Sequence, residues 1–182
     1  MLLDFLIPAI AVLITELGDK SQIAILTLSA KFKDHKKVFF GVMLAFLIAD
    51  GMAVAFGNFI VDLIPATTMR GISGIVFIIF GLLAIASTRE KKIRTPISSA
   101  FISSFALVFF SEMGDKTQIA SAIFSTQYNS YLVLIGIMSS LALLSLVTLF
   151  IGKNLMRYFE KELLHYISGL VFIALGLFIL LL

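Results

Sequence analysis

"ELGDKSQIA", residues 16–24, sets Glu16, Asp19 and Lys20 into a run that otherwise reads as an apolar helix, and 96 residues later the chain writes "EMGDKTQIA" at 112–120. Near the centre of a bilayer each Asp or Lys costs roughly 2.5–3.5 kcal/mol, so six such charges left unpaired cost on the order of 15–20 kcal/mol. Mutual neutralisation as salt-bridge glue is the plain explanation. A buried pair, however, rarely stabilises a fold more than apolar residues of the same volume would, so a cluster written twice points to function.

Working outward, "ISGIVFIIFGL" from Ile72 returns as "ISGLVFIALGL" from Ile167, at an offset of 95. Ten of the twelve glycines fall into repeat pairs: 18 with 114, 41 with 136, 57 with 152, 74 with 169, and 81 with 176. Gly74, Gly81, Gly169 and Gly176 suit close helix packing. The chain reads as two copies of a three-helix unit, 1–87 and 98–182, joined by a cytoplasmic linker at 88–97. Three is odd, so the second copy enters the membrane from the opposite side. The halves are then expected to be inverted repeats about a pseudo-two-fold axis in the membrane plane, an architecture suited to alternating access.

Composition agrees with a membrane setting. The chain has 182 residues, 60% of them hydrophobic, and a mean hydropathy of +1.09, more than a soluble domain carries. At about 20 apolar residues per span, this length holds roughly six transmembrane helices in an all-α integral membrane protein. Apolar runs predict helices over 4–30, 38–62, 70–87, 98–125, 130–152 and 164–182, with Pro65 and Pro96 in the breaks. "MLLDFLIPAI" lacks a basic region before its apolar run and leads into the motif, so it is expected to be a first span, not a signal peptide.

Having no cysteine excludes disulfides, thiolate metal sites and thiol redox chemistry, and His35 and His165 fall in loop-like segments. The net charge of +3 does not suggest a nucleic-acid partner, because the basic residues sit in short loops. Lys31 to Lys37, Arg89 to Arg94 and Lys153 to Lys161 collect on one side, against Arg70 on the other. The positive-inside rule makes the basic side cytoplasmic and both termini external. The connection over 153–165 is expected to lie as an amphipathic helix on the cytoplasmic surface.

On a continuous helix Asp19 sits about 60° from Glu16, and Gln22 about 60° further, giving one slanting polar stripe. Lys20 is one turn after Glu16, within reach of its carboxylate or of neighbouring groups. Gly18 removes a side chain at the crowded point and eases unwinding, which would free backbone carbonyls as further ligands. Glu112, Gly114, Asp115, Lys116, Thr117 and Gln118 repeat the pattern. The pseudo-two-fold would bring the stripes together at the membrane midplane. Glu16, Asp19, Glu112 and Asp115 are then the candidate metal ligands, with Gln22 and Gln118 beside them and Ser21 and Thr117 in support.

An oxygen-only site suits Ca²⁺, Mn²⁺ or Mg²⁺ and not Zn²⁺ or Cu. Four carboxylates and the Lys20 and Lys116 ammoniums leave a formal charge of about −2, which one divalent ion neutralises. When the ion leaves, repulsion among the carboxylates favours proton uptake in its place, the physical basis of proton antiport. Asp50 lies at the depth of Glu16 and Glu112, while its repeat counterpart is Ser145. It is a candidate for proton coupling or a further ligand; a plain polar contact is the alternative.

The doubled E-x-G-D-[KR]-[ST] motif, each copy followed by Gln, resembles the signature of a family of small inverted-repeat membrane proteins. That family includes Golgi and chloroplast Mn²⁺/Ca²⁺ transporters and bacterial manganese exporters. The resemblance implies exchange of Mn²⁺ or Ca²⁺ for protons, with Glu16, Asp19, Glu112 and Asp115 as cation ligands and Gln22, Gln118, Ser21 and Thr117 supporting them. It implies a transported cation as substrate, no resident cofactor and no catalytic residues. The short chain is most similar to the bacterial members, which implies export across the inner membrane. The residues admit either Mn²⁺ or Ca²⁺, and a homo-oligomer is compatible with them. A passive channel is also compatible with carboxylate rings. An intramembrane enzyme has little support, since no His, Cys or Gly-framed Ser nucleophile lies at membrane depth.

Overall fold

The computed structural model describes residues 1–61, 63, 65–86, 99–155 and 161–181. Among these the chain is all-helical, in the order α1 (Leu2–Thr15), α2 (Lys20–Lys31), α3 (His35–Val61), α4 (Ala66–Ala86), α5 (Ala100–Glu112), α6 (Lys116–Gln127), α7 (Ser130–Leu155) and α8 (Lys161–Leu181). The predicted linker 88–97 lies outside the described residues. So does the middle of the surface helix predicted over 153–165, whose flanks continue α7 and α8.

The helices predicted over 4–30 and 98–125 are each two helices, and both breaks fall on the motif. Gly18 has φ +78° and Gly114 φ +76°, the only positive φ angles among the described residues. A residue with a Cβ pays roughly 1–2 kcal/mol for that left-handed backbone, whereas glycine adopts it freely. Asp19 and Asp115 follow in extended conformation and cap α2 and α6; the Asp19 carboxylate accepts the Lys20 backbone N–H at 2.7 Å. Glu16 and Asp19 therefore belong to different helices, and the continuous stripe of the sequence reading is replaced by a bent one.

A Cβ at Gly114 would meet nothing within 4 Å, so backbone conformation and not space selects glycine there. Gly114→Val is expected to lose about 1–2 kcal/mol of stability, and Gly114→Asn distinctly less because Asn tolerates this conformation. Thermal unfolding of the detergent-solubilised variants measures the difference.

Other helix starts also repeat. Asp34 accepts the Lys37 N–H at 3.1 Å ahead of α3, and its counterpart Asn129 accepts the Tyr131 and Leu132 N–H groups at 3.1 and 3.2 Å ahead of α7. The Lys37 backbone N–H, with the Lys37 ammonium, holds the Asp34 carboxyl below its ordinary range.

Packing between the halves is reciprocal. α4 and α8 run antiparallel in tight contact: a Cβ at Gly81 would lie 2.6 Å from the Gly169 carbonyl oxygen, and one at Gly169 would lie 2.6 Å from that of Gly81. Gly74 and Gly176 oppose each other likewise, at 2.9 and 2.6 Å. Phe77 stacks on its own repeat counterpart, Phe172, with ring centroids 5.7 Å apart, and Phe124 leans on Phe77 at 5.2 Å. α1 packs on α7, where Gly136 meets the Phe5 carbonyl, and α3 packs on α5, where Gly41 meets that of Phe101. Those two contacts are one contact written in both copies, and mutually exchanged contacts are what a two-fold relation requires.

Among the described residues α3 and α7 are by themselves long and apolar enough to cross a membrane, with mean hydropathies of 2.2 and 2.5 over an 18-residue window within His35–Ile60 and Ser130–Ile151. They flank the broken helices, α7 lying against α1 and α2 and α3 against α5 and α6. The two breaks are thereby held between them.

Candidate cation site

Both breaks arrive at one place. Glu16 ends α1 with no solvent exposure, Asp19 opens α2 and Asp115 opens α6, and a carboxylate oxygen from each lies within 4.8 Å of the others. Two come from the first motif copy and one from the second. Glu112, the last residue of α5, is buried and within electrostatic reach of Glu16, Asp115, Asp50 and Asp19, but it is not part of the tight trio.

The lysines are exchanged between the copies. Lys20 pairs with Asp115 at 3.0 Å, and Lys116 pairs with Asp19. The two pairs differ in exposure: the Lys20 side chain is 49% exposed, whereas that of Lys116 is 13% exposed and also donates to the Ser168 hydroxyl at 3.4 Å. The sequence left Lys20 a choice between Glu16 and neighbouring groups; the bend turns it to Asp115 of the other half.

Ser21 and Thr117 both serve Glu16. The Ser21 hydroxyl donates to Oε2 at 3.1 Å and the Thr117 hydroxyl donates to Oε1. One hydroxyl follows each aspartate, so both motif copies grip the same carboxylate.

The two glutamines part company. Gln118 is committed to the backbone, accepting the Gly114 N–H at 2.9 Å and donating to the Ala49 carbonyl at 3.2 Å, so it braces the break against α3. Gln22 accepts the Thr148 hydroxyl, while its Nε2 is buried without a hydrogen-bond partner. Asp50 is buried on α3, accepts the Ser121 hydroxyl on Oδ1 at 2.7 Å, and has no partner for Oδ2. Its counterpart Ser145 is also buried and unpartnered.

Sequence reasoning passed over Thr148, Ser121 and Ser168. Ser168 had a signal, since it and Ser73 occupy the same place in the repeated "ISG" stretches, but only the glycines there were weighed. Ser168 also donates to the Thr15 carbonyl at 3.3 Å, tying α8 to the end of α1.

Chemically the site is a buried cluster of hard carboxylate oxygens, of the kind that suits a hard divalent cation, with the Lys20 and Lys116 ammoniums as its counter-charges. The family model for the divalent cation/proton antiporter GDT1 matches residues 4–92 and 100–182. The chain belongs to this family.

Among GDT1 relatives, a Vibrio cholerae protein named "Putative manganese exporter" is 27% identical over 145 residues, covering 78% of this chain and 72% of that protein. A GDT1-like protein of Schizosaccharomyces pombe is 24% identical over 219 residues, covering 89% and 83%. GDT1-like protein 5 of Oryza sativa is 22% identical over 205 residues, covering 90% and 88%. No solved structure matches the chain. GDT1 proteins are membrane transporters, so the bent pair of helices around buried carboxylates sits in a transport family.

Proposed function

We propose that this protein is a secondary transporter that exports Mn²⁺, and also accepts Ca²⁺, from the cytoplasm in exchange for protons. The observation that carries this reading is the meeting of Glu16, Asp19 and Asp115 at two helix breaks, with Lys20 and Lys116 cross-paired. The name of the Vibrio cholerae relative favours manganese as the substrate.

In this reading the chain crosses the membrane six times. α1 with α2 and α5 with α6 form two bent spans, and α3, α4, α7 and α8 form the other four. Residues 1–87 and 98–182 are inverted repeats, which the exchanged glycine and ion-pair contacts support. The site then lies near the midplane, as it does in transporters built on broken helices. Both termini are external, in a bacterial inner membrane.

Glu16, Asp19, Asp115 and Glu112 hold the cation, with Gln22 and the hydroxyls of Ser21 and Thr117 in support. Gln118, Gly18 and Gly114 hold the breaks open. The cation is cargo and not a resident cofactor. On entry it takes the place of the ammonium groups on Asp19 and Asp115; on release, the bared carboxylates take protons, and the proton-loaded site returns.

The test is reconstitution in liposomes with a proton gradient favouring exchange and measurement of Mn²⁺ flux. Saturable flux that rises with the gradient and carries protons the other way supports the antiporter. Flux indifferent to the gradient and linear in Mn²⁺ supports a channel and rejects it.

A further inference from the structure

The two ends of the molecule are built unequally. Around the external end of α3 and the α6–α7 turn is a cavity of about 540 Å³, whose lining includes Gly51, Asn58, Ser125, Thr126 and Asn129. It reaches down to Gly51, next to Asp50. On α6 the buried hydroxyls of Thr117, Ser121 and Ser125 stand one turn apart on one face. They lead from Glu16, which Thr117 contacts, through Ser121, which binds Asp50, to Ser125 in the cavity wall.

Applying the repeat offset to this cavity yields a second one. Gly51, Val54, Ala55 and Leu134 correspond to Leu146, Leu149, Phe150 and Phe39, and those residues, with His35, Phe40 and one cationic side chain, Lys36, line a cavity of about 350 Å³ near the opposite end of α7. Its character is reversed. His35 packs edge-on against Phe150 with centroids 5.8 Å apart, and its Nε2 lies 3.3 Å from the carbonyl of Ser29, the counterpart of Ser125. The hydroxyl ladder is also broken there: Ile25, fully buried, stands where Ser121 stands in the other copy. A hydrated divalent cation can follow a line of hydroxyl and amide oxygens but not an aliphatic and aromatic wall.

We infer that the cavity at Asn58 and Ser125 is the open, water-filled half of the route to the carboxylate site, and that the His35–Leu149–Phe150 cluster is its closed counterpart. This deepens the transport reading by naming the two halves of the path. The ion leaves through a mouth lined with fixed polar groups. It enters only when the aromatic cluster separates, so the gate that must move is on the side of the α2–α3 turn.

The chain contains no cysteine, so single cysteines are unique handles. Asn58→Cys, Ser125→Cys and Leu149→Cys, with Asn129→Cys marking the face of the α6–α7 turn, are treated with a charged, membrane-impermeant methanethiosulfonate in right-side-out and inverted vesicles. Ser125→Cys is nearly isosteric and Asn58 is exposed, so both variants keep the fold. Asn58→Cys is expected to react from the same face as Asn129→Cys, and Ser125→Cys, as buried as Leu149 but set in the polar cavity wall, is expected to react from that face about tenfold or more faster than Leu149→Cys from either face, since thiolate attack needs water as well as access. A silent Ser125→Cys beside a reactive Asn129→Cys overturns the inference. So does a Leu149→Cys that reacts as fast as Ser125→Cys. Labelling reads water access and not transport: a protein labelled as expected that moves no Mn²⁺ rejects the transport reading and keeps the assigned route.

Discussion

Proton-driven Mn²⁺ flux is expected to fall at least about 100-fold in Glu16→Gln, at or beyond the upper end of the roughly 10–100-fold loss that follows when only an outer partner of a ligand is removed. Glu16 is the carboxylate on which both halves converge: it is fully buried, shares the 4.8 Å cluster with Asp19 and Asp115, and is held by Ser21 from one motif and Thr117 from the other. Gln keeps the size while removing the charge and turning one accepting oxygen into a donating NH2, towards which the Ser21 or Thr117 hydroxyl can present its own oxygen, so the bend survives and the cation loses a ligand. Glu112→Gln is expected to lower flux as well, by a smaller factor, because Glu112 stands outside the tight cluster. Flux measured in liposomes at equal protein incorporation decides the matter; either variant running at the parent rate rejects the site.

The second large effect separates two ion pairs that the sequence writes identically. Lys116→Ala leaves Asp19, 8% exposed, without its cation in a buried setting. Removing one partner of such a pair costs about 3–5 kcal/mol. Lys20→Ala removes a side chain that is 49% exposed from Asp115, and an exposed pair contributes only about 0–1 kcal/mol. Thermal unfolding of the two variants in the same detergent is therefore expected to show a large drop for Lys116→Ala and a small one for Lys20→Ala. Equal drops would mean that the pairs are equally buried, contrary to the geometry.

Much of the helical plan was legible from hydropathy. The runs predicted over 38–62, 70–87, 130–152 and 164–182 correspond to α3, α4, α7 and α8 within a few residues. Repeat glycines gave away the close approaches, since Gly74, Gly81, Gly169 and Gly176 do meet backbone across the α4–α8 contact. The bends escaped, although Gly18 was singled out for unwinding, because glycine inside an apolar run is equally compatible with a continuous helix. Only the left-handed φ distinguishes the two. Once the helix is bent, the angular reckoning that aligned Glu16, Asp19 and Gln22 no longer applies, and the lysines turn toward the opposite copy. The unequal duties of Gln22 and Gln118 were also beyond reach. They depend on Thr148 and on the Ala49 carbonyl, groups brought in by α7 and α3.

Because Lys20 neutralises Asp115 while Lys116 neutralises Asp19, neither half satisfies its own charges. A lone half would carry an aspartate and a lysine that are neighbours in sequence yet aimed apart, each still in need of a mate. The same exchange serves as a lock on assembly: two units satisfy each other only when they are docked in one relative register, and a slipped or wrongly oriented pair leaves four charges without their mates, Asp19 and Lys116 at the greater cost because they are the more buried. The duplicated chain thus resembles a dimer tethered by its own linker, whose partner recognition is written in the same residues that are proposed to give way to the cation.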